Sequence, residues 1–146
     1  MDINIKNNNV LFLDDEELIL EKIKRKLKKT DFNLFFAHSG SEALKMIAEY
    51  EIAVLVIDLN ISEFTGVEFI KVVSNKYPEI SKIVFSIYTD LNIILSVLNH
   101  DIFQYIPKSR VNKDHGYQIE LIPVIKNALR QYNLLQENRK LKANSK

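Results

Sequence analysis

The chain of 146 residues contains no cysteine and no tryptophan, and it has only three glycines and three prolines. Without cysteine there is no disulfide framework, no thiolate metal site and no cysteine nucleophile, which suits a reducing compartment. So few glycines and prolines exclude a collagen-like or low-complexity segment. The remaining composition, 47% apolar and 27% charged, is that of one globular domain with a core of its own.

Three further features are missing from the sequence. The formal net charge is only +1, which argues against a nucleic-acid-binding surface over the whole protein. The N-terminal sequence MDINIKNNN lacks the apolar core of a signal peptide. No run approaches the roughly 18 apolar residues that a membrane span needs. We therefore expect a cytoplasmic protein that contacts neither a membrane nor nucleic acid directly.

Four short apolar runs each end in residues that can take part in chemistry. Runs of this length, separated by helical patterns, are typical of buried strands in a parallel sheet. Ligands bind just beyond the carboxyl ends of the strands in such sheets, so we expect the residues after the runs to share one crevice. The runs and their following residues are Val10–Leu13 with Asp14 and Asp15, Val54–Ile57 with Asp58, Ile83–Phe85 with Ser86, and Phe103–Ile106 with Pro107 and Lys108.

The apolar period alternates between that of a strand and that of a helix. This order of strand and helix, repeated five times, predicts a parallel sheet with right-handed crossovers. The predicted helices are Glu16–Lys29, one after the capping box Ser39-Gly-Ser-Glu42, Val67–Tyr77 and Asp90–Asn99. The strands after the first are predicted at Asn33–Ala37, Ala53–Ile57, Lys82–Ser86 and Ile102–Ile106.

The C-terminal part is predicted to be a polar loop, Ser109–Gln118, followed by one long helix. The helix begins near Leu121 or Ile122, because Pro123 is tolerated only in a first helical turn. Its first apolar stripe covers the sheet. A second stripe, which has nothing left in this chain to pack on, consists of Leu134, Asn138 and Leu141. This end of the helix either frays, pairs with a partner chain or leads into a further domain.

The acidic residues at the strand ends indicate a metal-assisted phosphoryl-transfer site. Asp14 and Asp15 repel each other unless a cation neutralises them, although a solvated acidic helix start is an equal alternative. Oxygen ligands favour Mg²⁺ or Mn²⁺ over zinc. Beside such an ion, the Asp58 carboxylate can attack phosphorus and form an acyl phosphate. Asn60 lies close enough to offer its backbone carbonyl to the metal or to contact the attacking water.

Ser86 and Lys108 add a hydroxyl and an ammonium to the same predicted crevice. A hydroxyl donates to a phosphoryl oxygen, and an ammonium supplies a positive point charge. Taken singly, a serine at a strand end is usually a turn residue and a lysine in a loop is usually solvated. Their place beside the carboxylates, at successive strand ends, favours a functional role.

The chain resembles the receiver domain of two-component response regulators over residues 8–132. The motifs that carry the resemblance are Val10-Leu-Phe-Leu-Asp-Asp-Glu16, Val54-Leu-Val-Ile-Asp-Leu-Asn60 leading to Gly66, Ile83-Val-Phe-Ser86 and Tyr105-Ile-Pro-Lys108. The resemblance implies a flavodoxin-like (βα)5 fold, a doubly wound parallel five-stranded sheet. Residues 133–146 are expected to be a C-terminal helical extension of it, either a coiled coil or a linker to an output module. The resemblance also implies a signalling switch that catalyses only its own phosphorylation and dephosphorylation, and no other enzyme activity.

The same resemblance assigns roles to the acidic residues. Asp58 would accept the phosphoryl group from a sensor histidine kinase or a phosphotransfer protein. Asp15 would bind Mg²⁺ directly and Asp14 largely through water, while Asp58 and the backbone carbonyl of Asn60 would complete the ligand set.

The resemblance also assigns the switch. Lys108 would pair with the phosphoryl group, Ser86 would move toward it, and Tyr105 would swing inward as Ser86 moves. The change would then reach an output domain or a downstream protein, with a homodimer through the C-terminal helix as a further expected partner.

The chain departs from the family pattern at three points. Ile61-Ser62 replaces the usual Met-Pro, Ile87 replaces a small residue after the switch hydroxyl, and Pro107-Lys108-Ser109 replaces the Lys-Pro order. Two rival functions stay open. One is an interaction or dimerisation domain that works without phosphate. The other is a metal-dependent phosphohydrolase, which the amide at Asn60 and the lack of a cap insertion disfavour.

Overall fold

The computed structural model describes residues 6–61, 65–87, 91–111 and 115–144. Five parallel strands form one sheet in the order β2-β1-β3-β4-β5. This is the strand order of the flavodoxin-like doubly wound fold, which confirms the predicted fold class. The strands are β1 Asn9–Leu13, β2 Asn33–Ala37, β3 Val54–Ile57, β4 Ser81–Ser86 and β5 Gln104–Pro107.

Helices cover both faces of the sheet. They are α1 Glu17–Lys26, α2 Gly40–Glu49, α3 Gly66–Lys76, α4 Leu91–Leu98, α5 Lys108–Val111, a π-helix at Tyr117–Leu121, and α6 Ile122–Asn144. None of the helices in the described ranges has the length and apolar character that a membrane crossing requires. The predicted bounds of the first helix and of the β4 strand differ from the observed ones by a few residues at most.

Alternate residues of each buried strand supply two separate cores, because successive side chains of a strand point to opposite faces. Phe12 and Phe85 belong to the core under α1 and α6. Leu13 and Ile57 belong to the core under α2, α3 and α4. Both faces of the central strands are therefore buried, and the polar residues follow at the carboxyl ends of the strands.

The starts of α2 and α3 are fixed by side-chain caps from Ser39 and from Thr65, whose Oγ1 accepts the Glu68 backbone N–H at 3.1 Å. The Ser39 Oγ accepts the Glu42 backbone N–H at 3.2 Å, which confirms one half of the predicted capping box. The Glu42 carboxylate accepts the backbone N–H of His38 at 3.1 Å. Gly66 begins α3, and a Cβ there would lie 2.5 Å from the Leu59 Cα. Glycine thus allows α3 to start directly against the segment that follows Asp58.

The predicted polar loop Ser109–Gln118 is wrong over most of its described length. Lys108–Val111 forms one helical turn, and the π-helix begins at Tyr117. A Cβ on Gly116 would lie 2.2 Å from the Val111 carbonyl oxygen, so the two short helices touch through backbone. Strand β5 also begins at Gln104 and not at Ile102. The predictions for Ser62 and Asp90 and for the end of the tail at 145–146 lie outside the described residues.

The long helix α6 starts at Ile122 and places Pro123 in its first turn, as predicted. Its buried residues end at Tyr132, whereas Leu134, Leu135 and Leu141 are 55%, 44% and 61% exposed. At this boundary the Asn133 side chain donates to the Asn7 carbonyl at 3.0 Å and accepts the Asn7 N–H at 2.9 Å. The helix is therefore anchored to the domain up to Asn133 and projects beyond it.

Candidate functional site

Three carboxylates lie together at the carboxyl ends of β1 and β3. Asp14 and Asp58 are buried and Asp15 is exposed, and one oxygen of each lies within 4.8 Å of the others. The backbone fixes this arrangement, because the Asp58 N–H donates to the Leu13 carbonyl at 2.9 Å. The two strands are also in register there, with Leu13 opposite Ile57. The strand ends thus meet as the sequence predicted.

Lys108 brings a buried ammonium to the two buried carboxylates. Its Nζ donates to Asp14 Oδ2 at 2.7 Å and to Asp58 Oδ2 at 3.2 Å. The residue is 3% exposed and is the first residue of α5, directly after β5. These contacts join residues that are 94 and 50 positions apart in the chain, so they exist only because the sheet aligns three strand ends.

The electrostatics of the site show that its negative charge is only partly balanced. Burial raises the pKa of Asp14, and the nearby Asp58 charge adds to the increase, against the hydrogen bonds from Lys108 and the Glu16 N–H. Burial alone would lower the pKa of Lys108, but its contacts with Asp14 and Asp58 outweigh burial and raise that pKa. Three carboxylates against one ammonium leave a formal charge of −2. That charge matches a divalent cation.

Asn60 contacts the central carboxylate through its backbone. Its N–H donates to Asp58 Oδ1 at 3.2 Å, while Lys108 bonds the other oxygen, Oδ2. Both oxygens of Asp58 are therefore oriented by donors from different loops. An orientation fixed in this way suits a nucleophile, because a reacting carboxylate has to meet its electrophile in one geometry.

Ser86 and Tyr105 lie on neighbouring strands beside the acids. Ser86 ends β4, is fully buried and stands opposite Pro107 in the register. The Tyr105 side chain packs against the core under α2, α3 and α4, and its hydroxyl is buried with no hydrogen-bond partner among the described residues. Burial, and then the Asp58 charge, raise the pKa of Tyr105. The phenol therefore lies within electrostatic reach of the acidic cluster.

Two contacts around the site were not predicted. The Lys108 Nζ lies over the Phe85 ring, 5.8 Å from its centroid. At the rim, His38 Nε2 contacts the Glu17 carboxylate and its Nδ1 lies 3.4 Å from Glu42. The hydrogen bond with Glu17 is the main cause that raises the pKa of His38. The sequence did indicate that Phe85 lies near the site, because Phe85 directly precedes the predicted site residue Ser86.

The comparisons with known proteins agree on one family. A family model described as the response regulator receiver domain matches residues 10–119. The hydrogenase transcriptional regulatory protein HoxA of Cupriavidus necator is 36% identical over 111 residues, covering 75% of this chain and 23% of HoxA. The putative response regulator NtrX-like protein of Rickettsia typhi is 31% identical over 137 residues, covering 92% of this chain and 28% of that protein.

A solved structure shows the same fold. The signal receiver domain of an HD domain-containing protein from Pseudomonas fluorescens Pf-5 matches with a TM-score of 0.78 and 23% identity. The match covers 87% of this chain and 98% of that one. The chain spans about a quarter of the length of the two relatives named above.

Proposed function

Since the chain belongs to the response regulator receiver family, we propose that it is a phosphorylation-dependent signalling switch whose phosphoacceptor is Asp58. The donor is the phosphohistidine of a sensor histidine kinase or of a phosphotransfer protein. The observation that carries the proposal is the Asp58 carboxylate, buried at a strand end, 3.2 Å from the Lys108 ammonium and clustered with Asp14 and Asp15.

The reaction uses the oriented carboxylate as the nucleophile. An Asp58 oxygen attacks phosphorus, the bond from phosphorus to the donor nitrogen breaks, and its electron pair stays on the imidazole of the donor. The product is an acyl phosphate on Asp58. The Lys108 ammonium is a point charge already within hydrogen-bond distance of Asp58, so it pairs with the oxygens of the transferred group. Burial of these residues keeps bulk water from competing for the ammonium.

The donor set fits Mg²⁺ or Mn²⁺. Carboxylates of Asp14, Asp15 and Asp58, together with the backbone carbonyl of Asn60, are hard oxygen ligands that such ions prefer. A bound ion supplies neutralisation of the charge that spreads over the phosphoryl oxygens. The formal charge of −2 on the described side chains supports a divalent ion in this role.

Phosphorylation then shifts a two-state equilibrium. Ser86 is the hydroxyl that moves toward the phosphoryl group, and Tyr105 responds to that movement. A modification shifts such an equilibrium only as far as it stabilises one state more than the other. The buried Tyr105 hydroxyl, which has no partner among the described residues, supports this role because a new donor or acceptor nearby would satisfy it.

The output is an interaction through α4 and its flank. This helix carries no charged side chain. Its Leu91, Leu95 and Leu98, and Ile87 directly after Ser86, are 49% to 66% exposed. Exposed apolar residues that lie together mark interaction sites. A downstream protein or an output domain is the proposed partner of this surface.

The segment 133–146 is proposed to be separate from the receiver at 8–132. It serves as a linker to an output domain or as a helix that pairs in a homodimer, with Asn138 between Leu134 and Leu141. The exposure of these leucines supports both roles, and it is the one observation that favours the alternative function of an interaction domain independent of phosphate. The phosphohydrolase alternative has no supporting observation among the described residues.

The test is reaction with a small phosphodonor. Wild-type protein, incubated with Mg²⁺ and acetyl phosphate, is expected to gain the mass of one phosphoryl group, and Asp58→Asn is expected to gain none. Glu68→Gln, an exposed carboxylate on α3, is the matched control and is expected to react as the wild type does. A wild type that neither gains mass nor changes conformation with beryllofluoride would favour the interaction domain. Rapid turnover of a phosphomonoester would favour the hydrolase.

A further inference from the structure

The Lys108 ammonium is enclosed by acids on one side and by an aromatic ring on the other. Its Nζ lies 2.7 Å from Asp14 Oδ2 and 5.8 Å from the centroid of the Phe85 ring, over the ring face. We propose that Phe85 is a positioning residue for Lys108. Its ring holds the Lys108 ammonium at the phosphoacceptor by a cation–π contact. The inference rests on the proposed function, because it assigns Phe85 to the site at which Asp58 is phosphorylated.

The strand register explains why the ring lies under this lysine. Phe85 stands opposite Ile106 in the pairing of β4 with β5, and both belong to the core under α1 and α6. Lys108 begins α5 directly after strand β5, and its Nζ lies over the Phe85 ring. An aliphatic residue at position 85 would still contribute to the core but would offer no π face to the ammonium.

The ring gives Lys108 an anchor that does not change during the reaction. A lysine ammonium sits on a flexible four-carbon stem, so its position depends on its partners. When Asp58 becomes an acyl phosphate, its carboxylate loses the charge that now attracts Lys108 at 3.2 Å. The attraction of the ring face for a cation is unaffected by that change. Both residues are 3% exposed, and cation–π contacts are strongest where water is excluded.

A second phenylalanine of the same core provides the matched control. Phe12 is 1% exposed and stacks on Phe36 with centroids 5.6 Å apart. Within the ranges that the structure describes, no lysine or arginine lies over its ring. Replacing Phe12 with leucine therefore removes a buried ring from this core and leaves the surroundings of Lys108 as they are.

The experiment measures the dissociation constant for beryllofluoride with Mg²⁺ and the rate of reaction with acetyl phosphate. Phe85→Leu is expected to weaken beryllofluoride binding and slow the reaction by about tenfold. Phe12→Leu is expected to change both by less than about twofold, once samples are matched for folded fraction by thermal unfolding. In the Lys108→Met background, Phe85→Leu is expected to have no further effect, because the cation is gone.

A shape-conserving probe separates the ring's charge distribution from its packing. Site-specific 3,4,5-trifluorophenylalanine at position 85 keeps the ring but withdraws electron density from its face, so we expect a loss close to that of Phe85→Leu. Nuclear magnetic resonance supplies a readout that needs no reaction. The ε-methylene protons of Lys108 are expected to be shifted upfield by the ring, and Phe85→Leu is expected to remove that shift.

The outcomes distinguish this inference from the proposed function. If the wild type responds to beryllofluoride but Phe85→Leu and Phe12→Leu behave alike, or the trifluoro ring binds as tightly as phenylalanine, Phe85 is only a core residue. If the wild type does not respond at all, the proposed function fails. In that case the Lys108 resonances still decide whether the ring holds the ammonium.

Discussion

The burial and the charge of Lys82 predict how its replacement changes the stability of the protein. Its side chain is 2% exposed on β4, at the opposite end of the strand from Ser86, and its Nζ donates to the Ile80 carbonyl at 3.1 Å. Burial lowers its pKa, and the charges of Asp101 and Glu79 offset this only in part. No carboxylate lies within ion-pair distance of it among the described residues. We predict that Lys82→Met stabilises the protein.

The expected change in the free energy of unfolding is the difference between opposing contributions. Burying an ammonium costs several kcal/mol after relaxation, and its single hydrogen bond to a carbonyl returns about 1.5 to 3 kcal/mol. Methionine keeps an unbranched stem of similar length and carries no charge, but it leaves the Ile80 carbonyl without this donor, at a cost of about 1 kcal/mol. We therefore expect Lys82→Met to raise the free energy of unfolding by about 1 kcal/mol at pH 7.

The stability difference between Lys82→Met and the wild type is expected to depend on pH. The folded pKa of Lys82 lies below its unfolded value of 10.5, so the unfolded chain binds the proton more tightly than the folded one. The penalty in the wild type is complete below the folded pKa and disappears as the pH rises to 10.5. The advantage of Lys82→Met is thus expected to shrink across that window.

Urea unfolding of the wild type and Lys82→Met, at pH 7 and near pH 10, is the assay. Lys71→Met is the control, because Lys71 is exposed on α3 and its replacement is expected to change the free energy of unfolding by less than about 0.5 kcal/mol. A Lys82→Met protein that is less stable than the wild type by about 1 kcal/mol or more would contradict the predicted cost of burying the Lys82 ammonium. An advantage that grows with pH would refute it as well.

Two further variants test the packing around the site. Gly116→Ala is expected to lower the free energy of unfolding by about 2 kcal/mol or more, because its Cβ would lie 2.2 Å from the Val111 carbonyl oxygen; an unchanged urea midpoint would contradict this. Tyr105→Phe is expected to stabilise the unphosphorylated protein by about 1 kcal/mol, since it removes a buried hydroxyl without a partner among the described residues. A loss of stability in the same urea titration would show that the hydroxyl is satisfied.

The site could be predicted from sequence because parallel strands bring their carboxyl ends to one edge. That rule places Asp14, Asp58 and Lys108 together from the apolar runs that precede them, and the structure joins them by hydrogen bonds. It does not say which carboxylate lies closer to the ammonium. Lys108 is nearer to Asp14 than to Asp58, and that difference depends on side-chain positions that no spacing reveals.

Other features could not be predicted from the sequence, because they depend on tertiary contacts. The position of Phe85 against Lys108 follows from the register of β4 with β5, which the alternation of a single strand does not set. The segment Ser109–Gln118 is polar and therefore resembles a loop. Its described parts are helical because Gly116 lets the backbone approach Val111 closely, a contact between two short elements that neither sequence predicts alone.

The exposed end of α6 is compatible with two of the alternatives that its sequence allows, pairing with a partner chain and leading into a further domain. Leu134 and Leu141 are exposed and seven positions apart, which fits a pairing seam as well as a linker. The anchor between Asn133 and Asn7 marks where the domain's own packing ends. Sedimentation of the chain against one ending at Asn133, which keeps the buried Tyr132 and the anchor to Asn7, separates the two roles, since the same oligomeric state for both would exclude a dimer through this helix.

The most direct test of the account is to locate the phosphoryl group on the chain. Wild-type protein is reacted with acetyl phosphate and Mg²⁺ and then treated with borohydride, which reduces an acyl phosphate of aspartate to homoserine. Peptide mass spectrometry is expected to find homoserine at position 58 and aspartate at positions 14 and 15. Homoserine at another position, or none in a protein shown to be folded, would contradict the claim that Asp58 is the phosphoacceptor.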